Sequence, residues 1–205
     1  MRIGGVVLAA GRSDRAETSK AMFPYGNRTL VAIAAQRLLD AGAGEVVVVI
    51  AAPHGPRIAA HLGARFGDPL PGRGVRTVVN PRPENGMLGS LQSALSRGEA
   101  WDAAVVSLVD HPRVRAGTVA RLIDAWRASA AELVRPVHAG HGGHPYVIAR
   151  SVFPRLLAAP PVIGARAILH ALTDRVDLEV TDPFVLEDLD YETQLRALAD
   201  RALAR

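Results

Sequence analysis

Three short runs in this chain are apolar with almost no alternation, and they constrain its fold more than any other feature. They read IGGVVLA at 3–9, EVVVVIA at 45–51 and AAVVSLV at 103–109. A strand with one wet face alternates apolar and polar residues, whereas a strand that stays apolar has both faces covered. The first run also stops abruptly. Beyond Ala9 come Ala10, Gly11, Arg12, Ser13, Asp14 and Arg15. In such a loop successive backbone N–H groups can converge on an anion, while arginine adds charge and forked donors. The plain alternative is a surface loop of no special chemistry. Lys20 follows, the only lysine in a chain with 24 lysines and arginines together. Where arginine fills nearly every basic position, one lysine marks a place for a slim, mobile point charge.

Helical periodicity fills the gaps between these runs. Thr29 is placed to cap a helix ending near Ala41, with Leu30, Ile33, Ala34, Leu38 and Ala41 on one stripe and Gly42 or Gly44 as the stop. A turn at 53–56 leads to a shorter helix ending near His61 or Leu62, and 63–74 reads as loop. A strand is expected at 75–79, a helix at 87–97 and another at 116–129, with Val119, Leu122, Ile123 and Trp126 on one face. The second half is less regular. Strands at 133–137 and 145–149 flank a glycine-rich bend, helices follow at 151–158 and 164–172, then a strand at 176–180 and a closing helix at 191–205. Strands alternating with helices predict an α/β fold with a mainly parallel sheet covered on both faces. Such sheets bind ligands beyond the carboxyl ends of their strands, so the loops at Gly11, Asn80 and Asp110 should share one edge. A length of 205 residues makes one domain, 1–205, the natural expectation.

Composition narrows the function. With no cysteine, disulfides and thiolate zinc sites are excluded. No apolar run approaches the ~18–20 residues that span a bilayer. The first strand begins almost at Met1, so a cytoplasmic protein without a secretory signal is expected. The formal charge of +4 would permit nucleic-acid binding, but the charges are interleaved and aromatics are only 4 %. That is too few for a base-stacking surface, and no nucleic-acid partner is expected.

Several residues stand where chemistry could occur. Asp110 ends the run VVSLVD and is followed by His111 and Pro112, which stops normal pairing. A hard carboxylate there suits Mg²⁺, or it bonds a turn or caps the next helix. In VLEDLDYETQL, Glu187, Asp188 or Asp190 offers a second carboxylate, with helix capping by Asp190 as the ordinary alternative. Gly86 opens a helix whose free amides favour a phosphate, near Asn80 and Ser90. His138, His141 and His144 cross a glycine-rich bend with no carboxylate to orient them, which argues against zinc.

The run LAAGRSDR followed by Lys20 resembles the LAAGxSxRMGxxK signature of the MobA-like nucleotidyltransferases, with Ala16 and Glu17 replacing Met-Gly. The resemblance extends through VDHP at 109–112, the N…GMxxSL segment at Asn80 and 86–91, GHP at 143–145 and DLD at 188–190. Gly164, Ala165 and Arg166 match the end of a GDxGAR motif whose Gly-Asp has become Pro161 and Val162. The resemblance implies a Rossmann-like three-layer αβα domain of the nucleotide-diphospho-sugar transferase type. It implies that Leu8, Ala9, Ala10, Gly11, Arg12, Ser13, Arg15, Lys20, Asn80, Gly86 and Ser90 bind a nucleotide. Lys20, Arg12 and Asp110 would be catalytic, and Asp110 and Asp190 would hold Mg²⁺. Asp188 is expected to face the other way if the 188–190 segment is extended. Gly143, His144, Pro145 and Arg166 would border the acceptor.

The expected activity is transfer of a nucleotidyl group, CMP from CTP by the LAAG form of the loop, to a small phosphorylated acceptor. Molybdopterin is the acceptor the resemblance implies. The rival expectations are an NAD(P)H-dependent oxidoreductase using the same pocket and a nucleotide-binding protein that has lost turnover.

Overall fold

In the computed structural model, which describes residues 1–11, 19–70 and 72–189, the first apolar run becomes β1 (Ile3–Leu8), buried along its whole length. A small hairpin of β2 (Pro24–Tyr25) and β3 (Arg28–Thr29) follows, which no periodicity in the sequence marks. Helix α1 (Leu30–Asp40) starts where Thr29 Oγ1 accepts a hydrogen bond from the Ala32 amide at 3.3 Å. That satisfies one of the donors a helix start leaves free. Next come β4 (Glu45–Ile50) and α2 (Gly55–Phe66). Helix α2 runs past Gly63 into the stretch expected to be loop. Ile58, Leu62 and Phe66 continue its stripe onto the core, and one interior glycine costs only ~1 kcal/mol.

The chain continues through β5 (Gly74–Val79), α3 (Gly86–Leu95), β6 (Ala103–Leu108) and α4 (Ala116–Ser129). Then come β7 (Leu133–His138), β8 (His141–Gly142), β9 (Tyr146–Ala149), α5 (Phe153–Ala158), α6 (Gly164–His170) and β10 (Arg175–Glu179). The closing helix expected at 191–205 lies outside the described residues.

The main sheet has the order β10-β7-β9-β6-β1-β4-β5, with β8 paired to β7. Pairs β6–β1, β1–β4, β4–β5 and β7–β10 are parallel, while β9 runs antiparallel between β6 and β7. Alternate residues of each strand feed opposite faces. Val7, Val48 and Val105 pack with Leu38, Ile58, Leu122 and Trp126 on one side. Val6, Val47 and Ala104 pack with Leu88, Leu91, Ile148 and Leu156 on the other. The mainly parallel, doubly covered sheet expected from the sequence is the one observed. No single helix among the described residues is long and apolar enough to cross a membrane.

One close approach governs the edge opposite the strand carboxyl ends. Trp101 is 4 % exposed and donates from Nε1 to Glu45 Oε2 at 3.2 Å, its ring lying over Gly4, the first of the two glycines of β1. A Cβ on Gly4 would stand 2.0 Å from that ring. Gly4→Ala should therefore lower stability by about 1–3 kcal/mol through overpacking. Urea unfolding measures it, and an unchanged midpoint would show that Trp101 moves aside freely.

Candidate active site

Because β1, β4, β5 and β6 are parallel, the segments that leave them gather at one edge. Leu8, Ala9, Ala10 and Gly11 continue from β1 along a cleft of about 460 Å³, faced by Gly86, Met87 and Ser90 of α3. Lys20 and Asp110 also line it, and Glu84 adds a carboxylate that the sequence did not single out. Ser90 Oγ donates to Gly86 O at 3.2 Å and accepts from Asn80 Nδ2 at 3.1 Å. Asn80 is 3 % exposed and takes the Arg82 amide on Oδ1 at 2.9 Å. It fixes the α3 entry from behind and does not line the cleft. Arg12, Ser13 and Arg15 lie outside the described residues.

Asp110 stands just past β6, where two cavities meet. Its Oδ2 is 3.5 Å from Lys20 Nζ. Its Oδ1 is buried and accepts no hydrogen bond among the described residues, with His111 Nε2 at 3.8 Å. A buried carboxylate oxygen without a donor fits a cation. Among the described residues no group of three or more His, Cys, Asp or Glu is gathered to hold one. The donor set therefore suits an ion that takes one or two carboxylates and fills its shell with phosphate and water oxygens.

The second cavity, about 530 Å³, shares Met87, Leu108 and Asp110 with the first. Asp188 lines it, which overturns the expectation that it faces the other way: in an extended segment residues two apart share a face. Asp190 lies outside the described residues. The segment ahead of Asp188 is a short 3₁₀ turn, Pro183–Leu186, and Leu189 donates its amide to Asp110 O at 3.0 Å. Gly143 lets this segment come close: the His144 amide donates to Val185 O at 2.8 Å, and a Cβ on Gly143 would sit 2.2 Å from that oxygen. Of the acceptor-side residues, Gly143, His144 and Arg166 line the cavity, while Pro145 is buried behind it.

Its wall is a ladder of rings. His111 and His144 have centroids 5.3 Å apart, as have His144 and Tyr146. Burial holds His111 below the ordinary imidazole range against the pull of Asp110. Burial, aided by His111, pushes His144 down to about 4. Burial also raises the Tyr146 phenol, so all three rings are uncharged near neutral pH. Arg135 contributes a guanidinium already held by Asp177 through bonds of 2.6 and 2.9 Å. Sequence reasoning missed His111, Tyr146 and Arg135 as site residues. His111 has one local signal, its place between Asp110 and Pro112 at a strand end. His138, by contrast, is engaged with Val180 O at 2.8 Å and does not line the cavity.

Against known proteins, the model of the MobA-like NTP transferase domain matches residues 5–176. The chain is 32 % identical over 205 residues to the nicotine blue oxidoreductase of Paenarthrobacter nicotinovorans, the match covering 96 % of each. Among solved structures it is similar to Rv0371c of Mycobacterium tuberculosis H37Rv, at 30 % identity, TM-score 0.76 and 97 % of both chains. The complex of Rv0371C with manganese superposes with TM-score 0.72 at 28 % identity, over 97 % of this chain and 98 % of that one. A nucleotidyl transferase from Methanothermobacter shares the fold, with TM-score 0.77 at 18 % identity over 99 % and 98 % of the two chains.

The neutral His144 makes a pH-dependent contribution whose sign is fixed. Its folded pKa of about 4 lies below the ordinary 6.5, so the unfolded chain binds the proton first. The stability is complete above pH 6.5 and is lost as pH falls toward 4. Between pH 7 and 4.5 the wild type should lose about 2–3 kcal/mol more than His144→Asn. Urea unfolding at the two pH values checks this, and equal losses would show that the ring titrates normally.

Proposed function

The chain belongs to the MobA-like NTP transferase family, and we propose that it is a nucleotidyltransferase moving CMP from CTP to a small phosphorylated acceptor. The observation that carries the proposal is the Lys20–Asp110 pair at the seam between the two cavities. The cleft along Leu8–Gly11 takes the nucleotide, and the ring-lined cavity takes the non-phosphate part of the acceptor, with molybdopterin as the family-level candidate. An acceptor phosphate oxygen attacks the α-phosphorus and the bond to the β-phosphate oxygen breaks, releasing pyrophosphate. The nucleophile is already ionised, so no general base is required.

This chain's residues then act by positioning and electrostatics. The Gly11 backbone, with Arg12, Ser13 and Arg15, receives the β- and γ-phosphates. Gly86 and Ser90 at the α3 start face the nucleotide, and Asn80 keeps that start in place. Lys20 stabilises charge growing at the α-phosphate. Asp110 and Asp190 would hold a divalent cation, proposed to be Mg²⁺, and Asp188 lines the same cavity as Asp110. When bound, such an ion neutralises phosphate charge. The manganese complex of Rv0371C supports a divalent ion in a relative of this fold. Gly143, His144, Pro145 and Arg166 form the acceptor side. The whole of 1–205 is proposed to act as one cytoplasmic domain.

A second reading is favoured by one specific observation, the 32 % identity to an oxidoreductase. There, NAD(P)H would occupy the same cleft and pass a hydride to an acceptor against the His144 and Tyr146 rings. Thermal shifts separate the two. CTP should stabilise the protein clearly only when Mg²⁺ is present, by ~2.7 kcal/mol at a hundredfold excess over Kd. Stabilisation by NADPH and none by any NTP with Mg²⁺ would replace the transferase reading with the redox one.

Lys20 gives the sharper kinetic test. Lys20→Ala should lower kcat by ~100-fold or more, as expected for loss of one preorganised electrostatic donor, with a smaller change in KM for CTP. Lys20→Arg should also be poor, because a longer planar fork does not replace a compact ammonium beside Asp110. Full activity in Lys20→Arg would reduce the role of Lys20 to general attraction.

A further inference from the structure

Arg37 is the one charged residue on the buried face of α1, and it is 5 % exposed. A helix stripe facing the core has no packing need for a guanidinium, and leaving a buried cation unbonded is costly. Its donors are directed at the segment that carries Asp110. Nη1 donates to His111 O at 2.6 Å and reaches Val114 O at 3.4 Å, while Nη2 donates to Ser107 Oγ at 2.9 Å. Ser107 belongs to β6 and is fully buried, so the fork joins the end of the strand to the turn beyond it.

A second buried charge works from the other side. Asp182 is 2 % exposed and accepts the Arg115 amide at 3.0 Å, Thr118 Oγ1 at 2.8 Å and the Phe184 amide at 3.2 Å. It thereby ties the start of α4 to the turn that precedes Asp188. Arg37 stays a cation: burial pushes it down only to about 10, with the Asp182 charge acting in the opposite direction.

We infer that Arg37 is a positioning residue for Asp110: from behind the sheet edge, its forked donors set the turn at 109–114 and so the direction of the Asp110 carboxylate. A side chain touching no ligand thus controls how well a divalent cation and nucleotide are held. The inference rests on the transferase reading, which gives Asp110 its ligand.

The test is calorimetric titration of the full chain with Mn²⁺·CTP, alongside urea unfolding. Asp110→Asn is the control for the reading itself. Arg37→Lys keeps the charge and the aliphatic stem, but a single ammonium cannot span His111 O and Ser107 Oγ. It should weaken Mn²⁺·CTP binding about 10-fold. Ser107→Ala, which removes one acceptor of the fork, should fold normally and weaken binding about 3-fold. Gly4→Ala, at the opposite edge of the sheet, is the control for destabilisation alone and should bind as the wild type does. If Asp110→Asn binds as tightly as wild type, the transferase reading fails. If Asp110→Asn binds weakly while Arg37→Lys and Ser107→Ala bind normally, or lose affinity only as Gly4→Ala does, the positioning role is overturned and the reading stands. Should Arg37→Lys fail to fold, Ser107→Ala alone decides between these outcomes.

Discussion

A parallel strand covered on both faces can offer functional groups only where it ends. In this protein the decisive end is that of β6. The chain leaves the sheet at Val109 and Asp110, and Pro112, lacking an N–H, cannot rejoin a ladder. Backbone oxygens freed at such an exit must find donors inside the protein. Asp110 O takes the Leu189 amide and His111 O takes the Arg37 guanidinium, at 3.0 and 2.6 Å. The site carboxylate is therefore held by partners far away along the chain in either direction. A hydrogen-bonded buried cation contributes little net stability, yet removing it strands its partners, so it defines geometry more than it adds strength.

Charge is distributed unevenly around that turn. Lys20, Glu84 and Asp110 stand at the cleft, while the second cavity sets Asp188, Arg135 and Arg166 beside the rings of His111, His144 and Tyr146, each uncharged near neutral pH through burial. The carboxylates of the cleft suit a polyanion only together with a bound cation, whereas the uncharged rings of the second cavity suit a flat body whose charged edge meets the arginines. This asymmetry distinguishes the two cavities more than their similar volumes of about 460 and 530 Å³.

The fold alone accommodates both nucleotidyl transfer and hydride transfer. A backbone loop after the first strand binds a triphosphate or the pyrophosphate of a dinucleotide through the same amides. What differs is the demand for a carboxylate and an ammonium at the reacting bond. Phosphoryl transfer uses both, whereas hydride transfer needs a well-placed acceptor ring and a proton source. The Lys20–Asp110 pair bears on the first demand and the histidine ladder on the second.

Taken alone, the order of amino acids dictates whatever local periodicity encodes. The unbroken apolar runs specify β1, β4 and β6, the stripe after Thr29 specifies α1 with its cap, and the alternation of the two specifies a doubly covered, mainly parallel sheet. It follows from the same alternation that Gly11, Asn80 and Asp110 come after strands and so gather at one edge. Periodicity says which side of an element is buried, but not what a buried group meets. The full length of α2 is hidden because Gly63 reads locally as a stop, while Phe66 reaches the core only in three dimensions. Asp188 reaches the cavity by way of the 3₁₀ turn before it and the Val185 contact under Gly143, neither of which local sequence shows. The His111–His144–Tyr146 ladder joins two segments far apart in sequence, and Asn80 is drawn inward by Ser90. Arg37 leaves no local trace at all, since a guanidinium on an apolar stripe makes sense only when the carbonyls it serves have been folded against it.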